Sequence, residues 1–374
     1  MSRPRKVLIL VDTLYLGGAE RVAVGLATHL PARGYEVMVC TTRRHAGTLT
    51  DDLHAAGVRY QSLDRRRRFD LAPFRHLVRV LRRERYDVLH SHGFGSNLWG
   101  SIFARIAGTP AVVAHEHSWS FEGQYVRRFL DRHVVARLAD MIVAVSTSDR
   151  ERMTSVVGIP PAKTTYIPNA FIPPTGSDER VDLRASLGLA ADTPLVGTVA
   201  VLRFEKALDV LIDAFAAALE RVPAAHLVIG GFGPGVETWK AHAEGLGVGD
   251  RVHWLGKIEN PSDAVAQLDV AAMSSDREGM PIFAFECMAG RTPLVATDVG
   301  GLGDVFEHER SALLVPRRDS TAMAAALERL LLDRDYARQL ADAAHARLDD
   351  FSMERALDRV TSLYESLLEK RGRD

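Results

Sequence analysis

Two cysteines in 374 residues, Cys40 and Cys287, are too few for a disulfide framework, and their spacing is not that of a zinc knuckle. Each lies in an apolar run that reads as buried, so a reducing, cytoplasmic setting fits. No stretch reaches about 18 consecutive apolar residues, which argues against a transmembrane helix. The formal net charge is -1, so a basic face dedicated to nucleic acid is not expected. Low-complexity tracts and short-period repeats are also missing. What is present is core material: 47% of the residues are hydrophobic. Since domains usually run about 50–250 residues, a chain of this length points to two.

Charge is distributed unevenly, with 17 Lys+Arg against 9 Asp+Glu in residues 1–95. The opening MSRPRKVLILVDTLYLGG resembles a signal peptide in its basic residues and short apolar run. A first β-strand is the better reading, because the run covers only Val7–Val11 and a Gly-rich turn follows. KVLILVD, TLYLGG, the helix-like AERVAVGLATHLPARG and YEVMVCT together form a strand–turn–helix–strand unit. The same rhythm returns at YDVLHSH, TPAVVAHEH and ADMIVAVS. YIPNAFIPPTGSDERVD, with three prolines, reads as an ordered linker. Beyond it the alternation restarts with TPLVGTVAVL and runs through LDVLIDAFAAALERV, AHLVIGGFG, VHWLG, LDVAAMSS, TPLVATDVG and ALLVPRRD. This pattern predicts α/β architecture, two Rossmann-like doubly wound domains facing a central cleft. FSMERALDRVTSLYESLLEK is a closing helix with Met353, Ala356, Leu357, Val360, Leu363, Tyr364 and Leu367 on one face.

DREGMPIFAFECMAGRTPL places Glu278 and Glu286 around an almost wholly apolar run. Glu278 follows a strand and precedes a helix expected to start near Pro281, so it sits at the ligand-binding edge of a parallel sheet. The Gly279–Ile282 amides would be unpaired first-turn donors for ligand oxygens. Glu286 is read about two turns into that helix among apolar neighbours, a costly place for a carboxylate unless it is paired or faces the cleft. The bland reading is an ion pair for Glu286 and a helix-dipole charge for Glu278.

The run LDVAAMSSDREGMPIFAFECMAGRTPLVATDVGGLGDVFEHERSALLVP resembles the E-x7-E region of glycosyltransferase family 4, retaining nucleotide-sugar enzymes of the GT-B fold. The resemblance implies that Glu278 contacts the donor sugar and supports transfer. It implies that Gly279, Met280 and Pro281 hold sugar hydroxyls and phosphate, and that Glu286 accepts both ribose hydroxyls. A carboxylate can take two hydroxyl donors side by side, and helix-terminal amides suit a diphosphate. AVLRFEKALDV resembles the family's arginine–lysine segment: Lys206 matches the lysine, but the arginine position is Val201. Arg203 either replaces it or faces solvent, and we expect it to contribute. The family glycine after the lysine is Ala207, a mild change if Ala207 begins a helix. Arginine, lysine and amides aimed at the diphosphate would stabilise the leaving group without a metal. GGFGPG resembles a family turn, although its main role here is a tight strand–helix connection. GKIENP lies where the family places the base, with Lys257 and Ile258 as contacts.

In the first half, LGGAERV resembles the family's glycine turn, with Gly17 and Gly18 allowing backbone close to donor phosphates and acceptor. His90, His92, His115 and His117 have metal-like spacings, but they come from separate strands with no cysteine to join them, so no metal site is expected. The resemblance assigns His117 to the donor sugar and puts His92 on the acceptor side. Leu71, Phe74, Leu77, Val78 and Leu81 form an apolar stripe ringed by Arg75, Arg79, Arg82 and Arg83. Packing on the sheet is the leading reading of this helix near residues 71–85, and peripheral attachment to the inner membrane face is its alternative.

The expected organisation is an acceptor-side domain over 1–170, a linker over 171–184, a donor domain over 185–350 and a helix over 351–374 that crosses back to the first domain. The expected reaction is retaining transfer from a UDP- or GDP-sugar to a hydroxyl of a glycan, glycolipid or lipid-linked sugar, without a cofactor. Its rivals are a sugar-nucleotide epimerase or phosphorylase of the same fold, and a non-catalytic sugar-nucleotide-binding module.

Overall fold

The computed structural model describes residues 3–15, 17–43, 47, 49–67, 70–117, 124–173, 181–258 and 260–372. Leu16 of the glycine turn, Ser118 and Trp119 after His117, Glu259, and residues 174–180 of the linker lie outside them. The chain divides into two compact units, residues 1–172 with 352–374, and residues 173–351.

The first unit is built on β1 (Arg5–Val11), β2 (Tyr35–Thr41), β3 (Arg59–Ser62), β4 (Val88–His92), β5 (Ala111–Glu116), β6 (Met141–Ala144) and β7 (Thr164–Tyr166). These strands are parallel, in the order β3-β2-β1-β4-β5-β6-β7. The inner strands are buried on both faces, which is why they read as unbroken apolar runs. The edges β3 and β7 had no such signal: RYQS and TTY are short, polar and partly exposed.

One layer against this sheet holds the helices Ala72–Glu84 and Phe94–Ala107, and the helical run 125–138. Their Phe74, Leu77, Leu81, Leu98, Ala104 and Val135 share a core with Leu8, Leu10, Leu89, Val112 and Ala114 of the strands. Phe74, Leu77 and Leu81 of the stripe are thus consumed by packing, while Leu71 at its start is 44% exposed and Arg75, Arg79, Arg82 and Arg83 stay outside. On the other layer, helix Met353–Arg371 belongs to the first unit and buries Tyr364 completely. Tyr364 meets Tyr35 edge-on at 5.9 Å.

The second unit carries β8 (Leu195–Val199), β9 (His226–Gly230), β10 (Val252–Gly256), β11 (Val270–Met273), β12 (Leu294–Thr297) and β13 (Leu313–Val315). This sheet too is parallel, in the order β10-β9-β8-β11-β12-β13. Strand order reverses between β1 and β4 in one sheet and between β8 and β11 in the other. Loops leaving such neighbours diverge to opposite faces and open a crevice at the C-terminal edge.

Candidate active site

The loops leaving β8 and β11 bring Lys206 and Glu278 together at the second switch point. Lys206 Nζ donates to Glu278 Oε1 at 2.6 Å, and Ser275 Oγ donates to the same oxygen at 2.6 Å. The pair is well shielded, with side-chain exposures of 21% and 9%. Ser274 Oγ holds the Lys206 carbonyl at 2.9 Å, and the Asp276 amide donates to Glu205 O at 2.8 Å, so the two loops are fastened to each other.

Behind Glu278 stands the exit loop of β12. A Cβ at Gly300 would lie 1.9 Å from the Glu278 carbonyl oxygen, and Gly300 has φ +60°. Next to it, the Gly301 amide donates to Gly279 O at 2.6 Å. Gly300→Ala would have to push the Glu278 backbone away and hold a strained φ. We expect it to destabilise the second unit by about 2–3 kcal/mol, lowering Tm by about 5–10 °C. A thermal scan unchanged within 1–2 °C would contradict the close approach.

Pro281 caps helix Ile282–Gly290 with ψ 131°, outside the first turn, and no side chain caps this end. Met280, just before this helix start, is buried. Glu286 is the fifth helical residue, a little over one turn in rather than two, and is 5% exposed.

Arg203 lies at the cap of the 3-10 turn Phe204–Lys206, 66% exposed, with Glu205 at 3.8 Å. Its described ion pair is with Glu205 and not with the Lys206–Glu278 pair. Ala207 corrects an expectation. It does not begin the helix but caps it at φ 49°, ψ 46°, the left-handed region. The glycine of the family pattern is therefore conformational, and alanine carries about 1–2 kcal/mol of strain there. Relief of that strain in Ala207→Gly is offset by the lost buried methyl and by glycine's larger unfolded entropy. We expect the variant to lie within about 0.5 kcal/mol of the parent in urea denaturation, where the same change inside a helix costs about 1 kcal/mol.

Gly230, Gly231 and Gly233 are needed for space. A Cβ would meet Ile258 Cδ1 at 2.3 Å, Ala200 O at 1.8 Å and Leu202 O at 1.9 Å, respectively. The turn thus braces the Lys206 loop, and Ile258 rests on Gly230 at the exit of β10, with Lys257 exposed beside it.

In the first unit Gly17 has φ -106°, which any residue adopts; its missing side chain makes room for Glu20, 2.2 Å from where a Cβ would be. Gly18 opens helix Gly18–His29. At the exit of β1, Asp12 accepts from Thr42 Oγ1 at 2.5 Å and lies 3.5 Å from Arg65.

The four histidines form one stack on β4 and the end of β5. His92 Nδ1 and His117 Nε2 are 2.9 Å apart, and ring centroids of His115 and His117 are 4.4 Å apart. Tyr364 Oη lies 2.6 Å from His90 Nδ1. The buried Tyr364 phenol and His90 Nδ1 thus share a hydrogen bond, and His90 Nε2 lies 3.2 Å from His115 Nδ1 on the other side of the ring. Burial pushes His90 down to about 3 and His117 to about 4, although Asn169 acts to raise the latter. His92 and His115 are held well below the usual range, first by burial and then by each other's neighbours in the stack. The array is therefore neutral at pH 7. His90, His92 and His115 place nitrogens within 4.8 Å of one another, a donor set of the type zinc accepts. Both ring nitrogens of His90, however, are already engaged.

Of the residues singled out from sequence, the structure joins Lys206 with Glu278, and His92 with His117. Ser274, Ser275, Gly300, Asn169 and Asp12 were passed over. The serines and Gly300 stand at exits of adjacent strands, and that position was the available signal.

Residues 16–172 match glycosyltransferase family 4, and residues 179–347 match the glycosyl transferases group 1 family. The D-inositol 3-phosphate glycosyltransferase of Actinosynnema mirum is 31% identical over 306 residues, covering 75% of this chain and 72% of that one. The chain belongs to the group 1, family 4 glycosyltransferases. A further relative of this glycosyltransferase is the GDP-mannose-dependent alpha-(1-6)-phosphatidylinositol monomannoside mannosyltransferase of Mycobacterium tuberculosis, 32% identical over 256 residues, covering 63% and 64% of the two chains. Anabaena HepE, solved with UDP and glucose, superposes with a TM-score of 0.85 at 20% identity, over 97% of this chain and 100% of that one. The glycosyltransferase thus has the GT-B fold.

Proposed function

We propose that the enzyme moves a sugar from a nucleoside-diphosphate sugar to a hydroxyl of a glycan, glycolipid or lipid-linked sugar, with retention. The Lys206–Glu278–Ser275 constellation at the second switch point carries this reading. A cation and a carboxylate locked at 2.6 Å, beside an uncapped helix start, supply charge for a leaving diphosphate and an acceptor for a sugar hydroxyl. In this reading Glu278 faces the sugar, while Lys206 and Arg203 meet the diphosphate with the Gly279–Pro281 backbone. Glu286 takes the ribose, and Lys257 and Ile258 the base. Gly17 and Gly18 give the donor phosphates backbone access, His117 the sugar a neutral imidazole, and His92 belongs to the acceptor side.

Glycosidase-style retention uses two carboxylates about 5 Å apart. With Glu286 committed to the ribose, the leaving phosphate itself is the base for a hydroxyl arriving on the same face. Family membership favours transfer over epimerisation or phosphorolysis, and an intact Lys206–Glu278 pair weighs against a non-catalytic binder. The UDP of the Anabaena neighbour and the GDP-mannose of the mycobacterial relative make these the first bases to test.

A panel of UDP-, GDP- and ADP-sugars tests the reading. One donor at about 100 times its Kd should stabilise the fold by about 2.7 kcal/mol, and labelled sugar should then pass to an acceptor in the presence of EDTA. Uniform failure of all donors to shift the melt would overturn it. Contact of the first unit with a membrane through the helix near 71–85 belongs to the same reading; among the described residues no helix is long and apolar enough to cross one.

A further inference from the structure

Arg318 stands between β13 and helix Ser320–Leu332 and holds φ 62°. This left-handed conformation is costly for a residue with a side chain and persists where the surroundings fix it. What fixes it is a fork. Arg318 Nε donates to Asp276 Oδ1 at 2.6 Å, a second nitrogen donates to Asp276 Oδ2, and the third donates to Asp209 Oδ2 at 2.7 Å. Strand order is β8-β11-β12-β13, so this one side chain reaches past the exit of β12 to join the exits of β11 and β8.

Both acids sit beside the candidate site. Asp276 is in the loop that carries Glu278, and Asp209 follows Lys206 in the first turn of helix Leu208–Ala218. The bonds that fasten these loops directly, from Ser274 to the Lys206 carbonyl and from the Asp276 amide to the Glu205 carbonyl, involve no charged group. The two carboxylates converge on the Arg318 guanidinium. Without a cation between them they repel, and the repulsion presses apart the loops that bring Lys206 to Glu278. The neighbouring Arg317 reaches only the Asp276 carbonyl, at 3.5 Å.

We infer that Arg318 is a positioning residue for the transfer reaction: by neutralising Asp276 and Asp209 together it sets the separation of the Lys206 and Glu278 loops. With all three nitrogens engaged, it acts through these loops and not on the donor. Its side chain is 47% exposed, and ion pairs at such sites contribute little to stability, so the effect falls on geometry. Geometry is what this site needs. Valine occupies position 201, Arg203 is turned to Glu205, and a misplacement of about 1 Å can cost about 100-fold in rate. The inference rests on the sugar-transfer reading above.

The test compares Arg318→Gln, Arg318→Lys and Arg318→Gln/Asp209→Asn with the parent. Arg329→Gln is the control, removing a 48%-exposed arginine from its pair with Glu309 elsewhere on the second unit. Arg318→Gln is expected to lower kcat at least about tenfold in about 0.1 M salt, with donor Kd changed less than about threefold. The defect should shrink at about 1 M salt, where the screening length falls from about 10 Å to about 3 Å. Adding Asp209→Asn removes the repulsion and should recover at least about threefold in kcat. Lysine supplies one point charge without a fork and should lie between glutamine and the parent. Exchange of the Asp276 amide should quicken at least about tenfold in Arg318→Gln and slow again in the double variant. That readout needs no substrate. Absence of transfer by the parent therefore overturns the sugar-transfer reading, whereas unchanged exchange overturns this inference. Parent-like kcat in Arg318→Gln, an equal loss in Arg329→Gln, or a loss that neither salt nor Asp209→Asn relieves would overturn it as well.

Discussion

Glu278→Gln is expected to lower kcat by about 10²–10³-fold, the loss typical when one preorganised charge-stabilising group is removed. The substitution keeps the volume and the hydrogen-bonding length of the side chain, so Ser275 retains a partner and the loop, clamped by Gly300 and Gly301, stays in place. What changes is charge. In the parent, Lys206 is neutralised by a carboxylate at 2.6 Å; in the variant its full charge is turned toward the donor diphosphate. Donor affinity should therefore hold or tighten while turnover falls, a split that a folding defect would not produce. Initial rates with calorimetric donor titration check it; full turnover with unchanged donor binding would remove Glu278 from the chemistry. Lys206→Ala gives the opposite pattern. It strands a 9%-exposed carboxylate, and breaking such a pair costs about 3–5 kcal/mol when fully buried, less here because Lys206 is 21% exposed.

Lowering the pH from 7 to 5 is expected to destabilise the first unit by at least about 1 kcal/mol. His90 and His117 are depressed by burial to about 3 and about 4, from the usual 6.5. They stay neutral in the fold while the unfolded chain takes up their protons. Their contribution is complete above pH 6.5 and is lost as pH falls toward the folded values, about 2 kcal/mol from each by pH 5. His92 and His115 act in the same direction. Asp131 opposes them: burial and Glu116 raise it to about 8, so it favours the fold more as pH falls from 8 toward the ordinary carboxylate range. Between pH 7 and 5 Asp131 returns about 2.7 kcal/mol against the roughly 4 kcal/mol lost by His90 and His117 together, and His92 and His115 add to the loss, so the balance is a net loss. Urea denaturation at pH 7 and 5, read by hydrogen exchange of the β4 and β5 amides, checks it; a midpoint that rises on acidification would mean the histidines are solvated.

Strands were legible where the chain is buried on both sides. Runs such as Val7–Val11 and Val112–Ala114 are apolar whatever their partners, so the two doubly wound sheets could be read directly. β3 and β7 could not, because an edge strand is specified by the neighbour it bonds and not by its own hydrophobicity. The acids and the lysine were legible as chemistry, but their grouping was not: 72 residues separate Lys206 from Glu278, and only the order β8-β11 puts their loops side by side. Ala207 was misread because φ is set by the loop it closes, which residue type alone does not reveal.

Residue type by itself determined the α/β class, the buried cysteines and the presence of a carboxylate, a cation and four imidazoles at strand ends. Tertiary structure decided which of them touch, and that Phe74, Leu77 and Leu81 of the stripe are spent on the sheet while Leu71 is left outside. The physical reason is the same in each case. Hydrophobicity and propensity are local properties of the chain, whereas contact, exposure and protonation depend on neighbours that only the sheet order brings near.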